Sequence, residues 1–351
     1  MAKRISFFIG SMHGGGAERV ISIIANHYCQ MGWNVDIALL FDKDIGYDLD
    51  ARINIIDLAQ SQGSYYKRLP KWLLGIRRYV KKTKPDRIVS FVGRINVLVL
   101  TACMGVKVPI IVSERNDPKH DGRSNLMLKI CNWSYKRAKA VVYQTKYEQS
   151  CFSNKLNNGV VIANPVTIAV EPEKTTRPFE IVTAGRLLPQ KNQAMLIDAV
   201  AKIKERYPAV TLKIYGNGAL KDTLQNQVEK LHLTDVVELC GNVSDLHHRI
   251  KGAGVFVLCS EFEGLSNALI EAMRLGLVCI STDYPGADEL VIDGENGVIV
   301  PRGDVQALTD AIIAVFKDIN LRNRLSTNAL AFSEQYRETH VLKKWEEVIG
   351  R

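Results

Sequence analysis

RISFFIGSMHGGGAERVISIIANHYCQM, residues 4–31, sets an apolar run, a glycine-rich turn and an amphipathic stretch in direct succession. Residues 5–9 are long enough for a buried strand and too short for a helix. The turn at 10–16 ends in three consecutive glycines, which let the backbone take positive φ and approach a ligand closely. Val20, Ile21, Ile23, Ile24 and Ala25 then give residues 17–31 the apolar face of a helix. Strand, loop and helix make the first half of a βαβ unit. The free N–H groups and partial positive charge at that helix start suit a phosphate or a sugar oxygen. The spacing is neither Gly-x-Gly-x-x-Gly nor a P-loop, so a plain tight turn stays open beside phosphate binding.

The same plan continues along the chain. VDIALLF, RINIIDL, DRIVSFV, VPIIVSE and AVVYQT are further apolar runs, with helical patterns between several of them, as in a parallel sheet covered on both faces. After GVVIANPV (159–166) and a polar stretch, a second series opens with EIVTAGR, VTLKIYG, VVELCG, VFVLCS and LVCISTD. The expected class is therefore α/β, with two Rossmann-like doubly wound domains facing each other across a cleft. The domains are drawn at 1–166 and 167–330, with a C-terminal helix over 331–351 that can cross back to the first. That last helix reads as roughly 328–348, carrying Tyr336 and Trp345. At 351 residues each half can bury a core of its own. In such sheets ligands bind beyond the carboxyl ends of the strands, so chemistry is sought in the loops that follow them.

Composition narrows the classes. With 46% hydrophobic and 24% charged residues the chain is neither disordered nor fibrous. No apolar run reaches the roughly 18 residues of a membrane span, and the first ten residues read as a strand, not a signal peptide, so a cytoplasmic protein is expected. Seven cysteines without Cys-x-x-Cys spacing read as reduced, mostly core residues. Charge is uneven: residues 1–170 hold 25 Lys/Arg against 12 Asp/Glu, and residues 171–351 hold 21 against 25. The basic first half suits an anionic partner, a phospholipid surface or a phosphorylated substrate, although a solvated basic face is the plain alternative. Nucleic acid is not expected, because no known binding fold or aromatic stacking pattern is present.

Two segments of the second half carry candidate chemistry. TAGRLLPQKN, 183–192, places Arg186 and Lys191 between a strand end and a helix start, where a fork and a point charge can grip a diphosphate, with a plain exposed charged loop as the alternative. EFEGLSNALIEAM, 261–273, sets Glu263 before a helix whose Leu269, Ile270 and Met273 face inward, with Glu271 about one turn inside. The backbone N–H groups of Gly264, Leu265, Ser266 and Asn267 would point at a phosphate or sugar oxygen, and Glu271 could accept from a diol such as ribose. A dipole partner for Glu263 and a buried structural acceptor for Glu271 are the competing readings.

Gly-Gly-Ala-Glu-Arg at 15–19, Gly-Arg-x4-Lys at 185–191, YGNG at 215–218, Glu263-Gly-Leu followed by Glu271-Ala, and DYPGADELVIDGENGVIV at 283–300 together resemble retaining glycosyltransferases of the family 4 type, of the kind that builds bacterial surface polysaccharide. The resemblance covers nearly the whole chain and is densest in the second half. It implies a GT-B architecture in which the second domain holds a nucleotide-sugar donor and the first the acceptor. Carried over, Arg186 and Lys191 would neutralise the donor diphosphate, Glu271 would bind the ribose, and Glu263 would lie against the donor sugar. Backbone groups at Gly264, Leu265, Ser266 and Asn267 would hold its oxygens. Val243 would sit near the base, Gly15 and Gly16 over the phosphates, and Gly216 of the YGNG turn beside the donor. No cofactor and no metal is implied, since fixed cations and helix N-termini can stabilise a leaving diphosphate. One departure stands out: many relatives carry a His where SERNDP, 113–118, puts Arg115. Arg115 could then serve an anionic acceptor or the donor phosphate, Asp117 could approach the acceptor hydroxyl, and His13 or His120 could substitute for the missing His.

The acceptor side is suggested by KRLPKWLLGIRRYVKKTKP, 67–85, which joins Trp72, Leu73 and Leu74 to eight Lys/Arg. It resembles an interfacial helix on anionic lipid, with Lys129, Lys136, Arg137 and Lys139 extending the basic surface. An ordinary surface helix packing Leu73, Ile76 and Val80 inward is the alternative. The expected function is a metal-independent transferase that moves a hexose or N-acetylhexosamine, UDP-linked in the donor, to a glycan or lipid-linked acceptor at the inner face of the cell membrane. A nucleotide-sugar epimerase and a non-catalytic lipid- or partner-binding module are the competitors.

Overall fold

The computed structural model describes every residue except Met1, Gly14, 59–64, Asn154, Lys155, Ala169 and Arg351, and of residues 65–67 the backbone alone. Gly14 of the glycine turn and the side chain of Lys67 in the basic run thus lie outside the described residues.

The chain forms two compact units, Met1–Pro165 with Glu338–Arg351, and Val166–Arg337. In the first, the strands β1 (Arg4–Ile9), β2 (Asn34–Leu39), β3 (Asn54–Asp57), β4 (Arg87–Phe91), β5 (Ile110–Ser113), β6 (Ala140–Tyr143) and β7 (Gly159–Val161) form one parallel sheet in the order β3-β2-β1-β4-β5-β6-β7. Helices α1 (Gly16–Gln30), α2 (Tyr65–Thr83), α3 (Gly93–Ala102), α4 (Asn125–Tyr135) and α5 (Lys146–Ser150) lie between the strands in sequence. Near-continuous burial of β1, β2 and β4 is what a sheet covered on both faces requires. One face packs α1 through Val20, Ile21, Ile24 and Tyr28. The other packs Trp72, Ile76 and Val80 of α2 with residues of α3 and α4 such as Val99 and Tyr135.

In the second unit, β8 (Arg177–Ala184), β9 (Thr211–Tyr215), β10 (Val237–Gly241), β11 (Ala253–Leu258), β12 (Val278–Thr282) and β13 (Val298–Val300) are parallel in the order β10-β9-β8-β11-β12-β13. They alternate with α6 (Gln193–Arg206), α7 (Lys221–Lys230), α8 (Leu246–Ile250) and α9 (Asn267–Arg274), and α10 (Val305–Lys317) and α11 (Ile319–Ser333) follow. β13 has no counterpart among the predicted strands, because three residues are too few to show a period. In both sheets the strand order reverses beside the first strand, at β1/β4 and at β8/β11, the crevice position where doubly wound sheets bind ligands.

Two sequence expectations change. The single helix read over 328–348 is broken: α11 ends at Ser333, Glu334–Tyr336 is a 3₁₀ turn, and Arg337 is extended before α12 (Glu338–Ile349) begins. The break has a partner, since the Val166 N–H donates to the Tyr336 carbonyl at 2.9 Å. α12 then completes the first core with Val341, Leu342, Trp345 and Ile349, and its end is held by Arg87 Nε donating to the Ile349 carbonyl at 2.7 Å. Second, Trp72 of the basic helix does not face a lipid surface. It is buried and its Nε1 donates to the Leu40 carbonyl at 3.0 Å, while Leu73 is half-buried and Leu74 exposed. The indole N–H needs a partner when buried, and the end of β2 supplies it. No helix among the described residues is long and apolar enough to cross a membrane.

Candidate functional site

The site is built where β8 and β11 end side by side. Gly185 leaves β8 and nests against the next loop: the Gly185 N–H donates to the Tyr215 carbonyl at 2.9 Å and the Gly216 N–H to the Gly241 carbonyl at 2.8 Å. Gly216 has φ +133°, and a Cβ there would stand 2.0 Å from the Gly185 carbonyl oxygen, so only glycine lets the two loops close. Gly216 thus shapes the Arg186 loop through its backbone. A 3₁₀ turn, Pro189–Lys191, and Asn192 in the left-handed region then lead into α6.

The loop after β11 is stitched to this turn. The Glu261 N–H donates to the Gln190 carbonyl at 2.8 Å, Gln190 Nε2 to the Phe262 carbonyl at 2.7 Å, and Asn192 Nδ2 to Glu261 at 2.7 Å. At the centre the Lys191 ammonium meets the Glu263 carboxylate, which also accepts from Ser260 Oγ at 2.5 Å. Thr282 of β12 fixes that serine by donating to its carbonyl at 2.6 Å. Glu263 is 7% exposed; a carboxylate this enclosed is tolerated only with a cation and donors around it. Lys191 keeps further N–H donors for a ligand. Arg186 is exposed, and among the described residues its guanidinium has no ion-pair partner.

α9 adds backbone donors. Ser266 is its N-cap and accepts from the Leu269 N–H at 3.4 Å. Among the described residues, the N–H groups of Gly264, Leu265 and Ser266 have no acceptor, which leaves them to an anion at the helix start. Leu269, Ile270 and Met273 are buried and hold the helix. Glu271, also buried, faces His247 of α8, whose Nε2 is 3.4 Å from its carboxylate. Val243 is half-buried in the loop between β10 and α8.

The first unit has its own cluster of candidates. His13 Nε2 lies 2.6 Å from Asp42 and 3.8 Å from Asp44, and the bond to Asp42 raises the His13 pKa. These are also the one group of possible metal ligands among the described residues, in a different unit from Arg186 and Lys191. Gly15 is the N-cap of α1, accepts from the Tyr47 hydroxyl at 2.8 Å, and is followed by Gly16 as the first helical residue. Asp117 pairs with His120 at 2.6 Å, joining two residues the sequence named separately.

Arg115 differs from its expected role. It is buried over the rings of Phe91 and Trp345, donates to Asn164 Oδ1 at 2.7 Å, and burial lowers its pKa to about 10. It ties β5 to α12 and to the chain ahead of Pro165, and does not reach out to an anionic ligand from the surface. Near it the buried Glu148 is pushed up to about 8 by desolvation and by Glu114.

Sequence reasoning missed Ser260, Gln190, His247 and the buried Tyr284, whose hydroxyl has no hydrogen-bond partner among the described residues and whose pKa is raised by burial and then by the Glu263 charge. Ser260 and Gln190 stood beside the named motifs, at a strand end and one residue before Lys191. Nothing in the order of residues joins His247 to Glu271.

Comparison with known proteins covers both units. Residues 167–332 match the family model described as Glycosyl transferases group 1, and residues 14–169 match Glycosyltransferase Family 4. The chain is 28% identical, over 99% of its length and 98% of the relative's, to a Campylobacter jejuni GalNAc-alpha-(1->4)-GalNAc-alpha-(1->3)-diNAcBac-PP-undecaprenol alpha-1,4-N-acetyl-D-galactosaminyltransferase. It is 25% identical over the whole of both chains to the amylovoran biosynthesis glycosyltransferase AmsD of Erwinia amylovora. Among solved structures it resembles Anabaena HepE in complex with UDP, at a TM-score of 0.83, 20% identity and 98% of each chain. Sucrose-phosphate synthase of Thermosynechococcus elongatus gives 0.83 at 18% identity, over 99% of this chain and 98% of that one. With two parallel-sheet Rossmann-like domains, each matched by a glycosyltransferase model, the chain is a glycosyltransferase of the GT-B fold.

Proposed function

We propose that the chain is a retaining family 4 enzyme that moves a hexose or N-acetylhexosamine from a UDP-sugar to a lipid-linked or surface-glycan acceptor. The observation that carries this is the second-unit cluster: Glu263 locked between Lys191 and Ser260, beside the N–H groups of Gly264, Leu265 and Ser266 and the Arg186 guanidinium, which have no acceptor and no ion-pair partner among the described residues. Such donors at a strand-to-helix junction suit a diphosphate, and an enclosed carboxylate beside them suits a sugar that gains positive charge. The named activity of the Campylobacter relative on an undecaprenol-linked sugar, and UDP in the HepE complex, support the acceptor and donor classes.

In the reaction the C1–O bond to the diphosphate breaks and the acceptor oxygen bonds C1 on the same face. The acceptor proton passes to a leaving phosphate oxygen. Arg186, Lys191 and the α9 amides stabilise the departing charge, so no metal ion is required. Glu263 orients the sugar and favours the oxocarbenium-like state. Glu271, positioned against His247, takes the ribose, which removes it from any acid–nucleophile pair with Glu263. Val243 borders the base. On the acceptor side His13 and Asp117 are the groups we assign. The enzyme works in the cytoplasm, peripheral to the inner face of the membrane, where the basic first unit meets anionic lipid.

A thermal-shift panel of nucleoside diphosphates tests the donor assignment. UDP is expected to raise Tm most, by RT ln(1 + [L]/Kd) in free energy. A panel in which no nucleoside diphosphate moves Tm would remove the reading.

A further inference from the structure

We propose that α4 is the element that enters the lipid surface, seating Leu126, Ile130 and Trp133 among the headgroups of an anionic bilayer. This deepens the membrane reading above and rests on it, but moves the contact from the basic helix α2 to a different one. In α2 the one tryptophan is spent on the core, through its bond to Leu40. In α4 the arrangement is the reverse. Cys131, Ser134 and Tyr135 are buried against the sheet layer, while Leu126 is 68% exposed, Ile130 37% and Trp133 61%. Positions i, i+4 and i+7 lie on one face, so the three side chains form a continuous apolar stripe that the unit itself does not cover.

The charge around the stripe selects the occupant. From residue 122 to residue 147 the chain holds six Lys/Arg and no Asp or Glu. Arg123 is turned inward to Glu114 and Asp121, and Lys139 donates to the Val348 carbonyl, but Lys129, Lys136 and Arg137 are exposed. Arg137 sits 4.4 Å over the Trp133 ring. Apolar residues with an indole at the edge, ringed by cations, match a headgroup layer of negative charge. The same ring of cations opposes a second copy of this face, because two such patches would bring like charges together.

Tryptophan fluorescence isolates the event. The chain has four tryptophans; Trp33, Trp72 and Trp345 are buried, so a change in polarity at the surface reports Trp133. Vesicles of phosphatidylcholine with about a third phosphatidylglycerol are added to the whole protein, and binding is read by emission and by co-sedimentation. The expected result is a blue shift, weakened by salt and absent with pure phosphatidylcholine. Leu126→Ser/Ile130→Ser should lower partitioning at least about tenfold while leaving the UDP-induced Tm shift unchanged. Equal binding by that variant, no blue shift, or a dimer that buries Trp133 without lipid would each overturn the proposal. If UDP raises Tm but vesicles do not bind, α4 docking fails alone; if vesicles bind by α4 and UDP does nothing, the donor reading fails alone.

Discussion

Glu263 concentrates the chemistry in one side chain, because the cation and hydroxyl that hold it are themselves fixed by Gln190, Asn192 and Thr282. Removing it should affect the transition state more than the bound nucleotide. Glu263→Ala is expected to lower kcat by roughly 10²–10³, the size of losing one preorganised electrostatic group, while the UDP-induced Tm shift persists. Lys191→Ala should weaken both, since it also leaves Glu263 enclosed without its cation. Steady-state kinetics beside thermal shift separates the two outcomes. Gly216→Ala belongs to another class: a Cβ 2.0 Å from the Gly185 carbonyl forces the loops apart, and a loss of about 2–3 kcal/mol in denaturant unfolding is expected. That Arg186, Lys191 and Glu263 stand in the loops after β8 and β11, and Glu271 inside α9, was legible because spacing from a strand end is local. The pairing of Lys191 with Glu263, seventy-two residues apart, was not, since it depends on β8 and β11 being neighbours.

Among elements, α12 shows how a distant segment serves the first core. Trp345 is fully buried, stacks on Phe91 and lies under Arg115. Trp345→Ala should cost roughly 3–5 kcal/mol, seen as an early transition of the first unit in urea. Glu148 of α5 gives a pH dependence. Its folded pKa, about 8, lies above the ordinary 4.5, so the folded state binds the extra proton between these values. Its contribution is complete below about 4.5 and is lost as pH rises toward 8, with Glu148→Gln removing that slope. At pH 8 the variant should melt roughly 2–4 °C above the parent, and a parent curve flat from pH 5 to 8 would contradict this. The strands other than β13 were readable from apolar runs bounded by turns. The kink at Arg337 was not, because the helical pattern continues through it and the deciding contact, from Val166, comes from far earlier in the chain.

At the scale of the molecule, the chain forms two units, and its charge is uneven between the first 170 residues and the rest. The basic character of the first 170 residues was visible in composition, whereas which of α2 and α4 spends its tryptophan on the core is a tertiary fact that no local pattern encodes. The fold class was legible because the strand–helix alternation repeats in each half, and the donor and acceptor remain chemical assignments resting on a few pocket groups. The central claim is that the second unit alone supplies the charge that grips a nucleoside diphosphate. Arg186 tests it most directly, because the side chain is exposed and takes part in no ion pair among the described residues, so its removal should leave the fold intact. Calorimetric titration of UDP in the presence of EDTA, on the parent and on Arg186→Ala, should show binding in the parent and a loss of at least about tenfold in the variant, as for one charge-assisted contact of roughly 1.5–3 kcal/mol. Equal affinities, or binding by the parent that disappears with EDTA, would contradict the account.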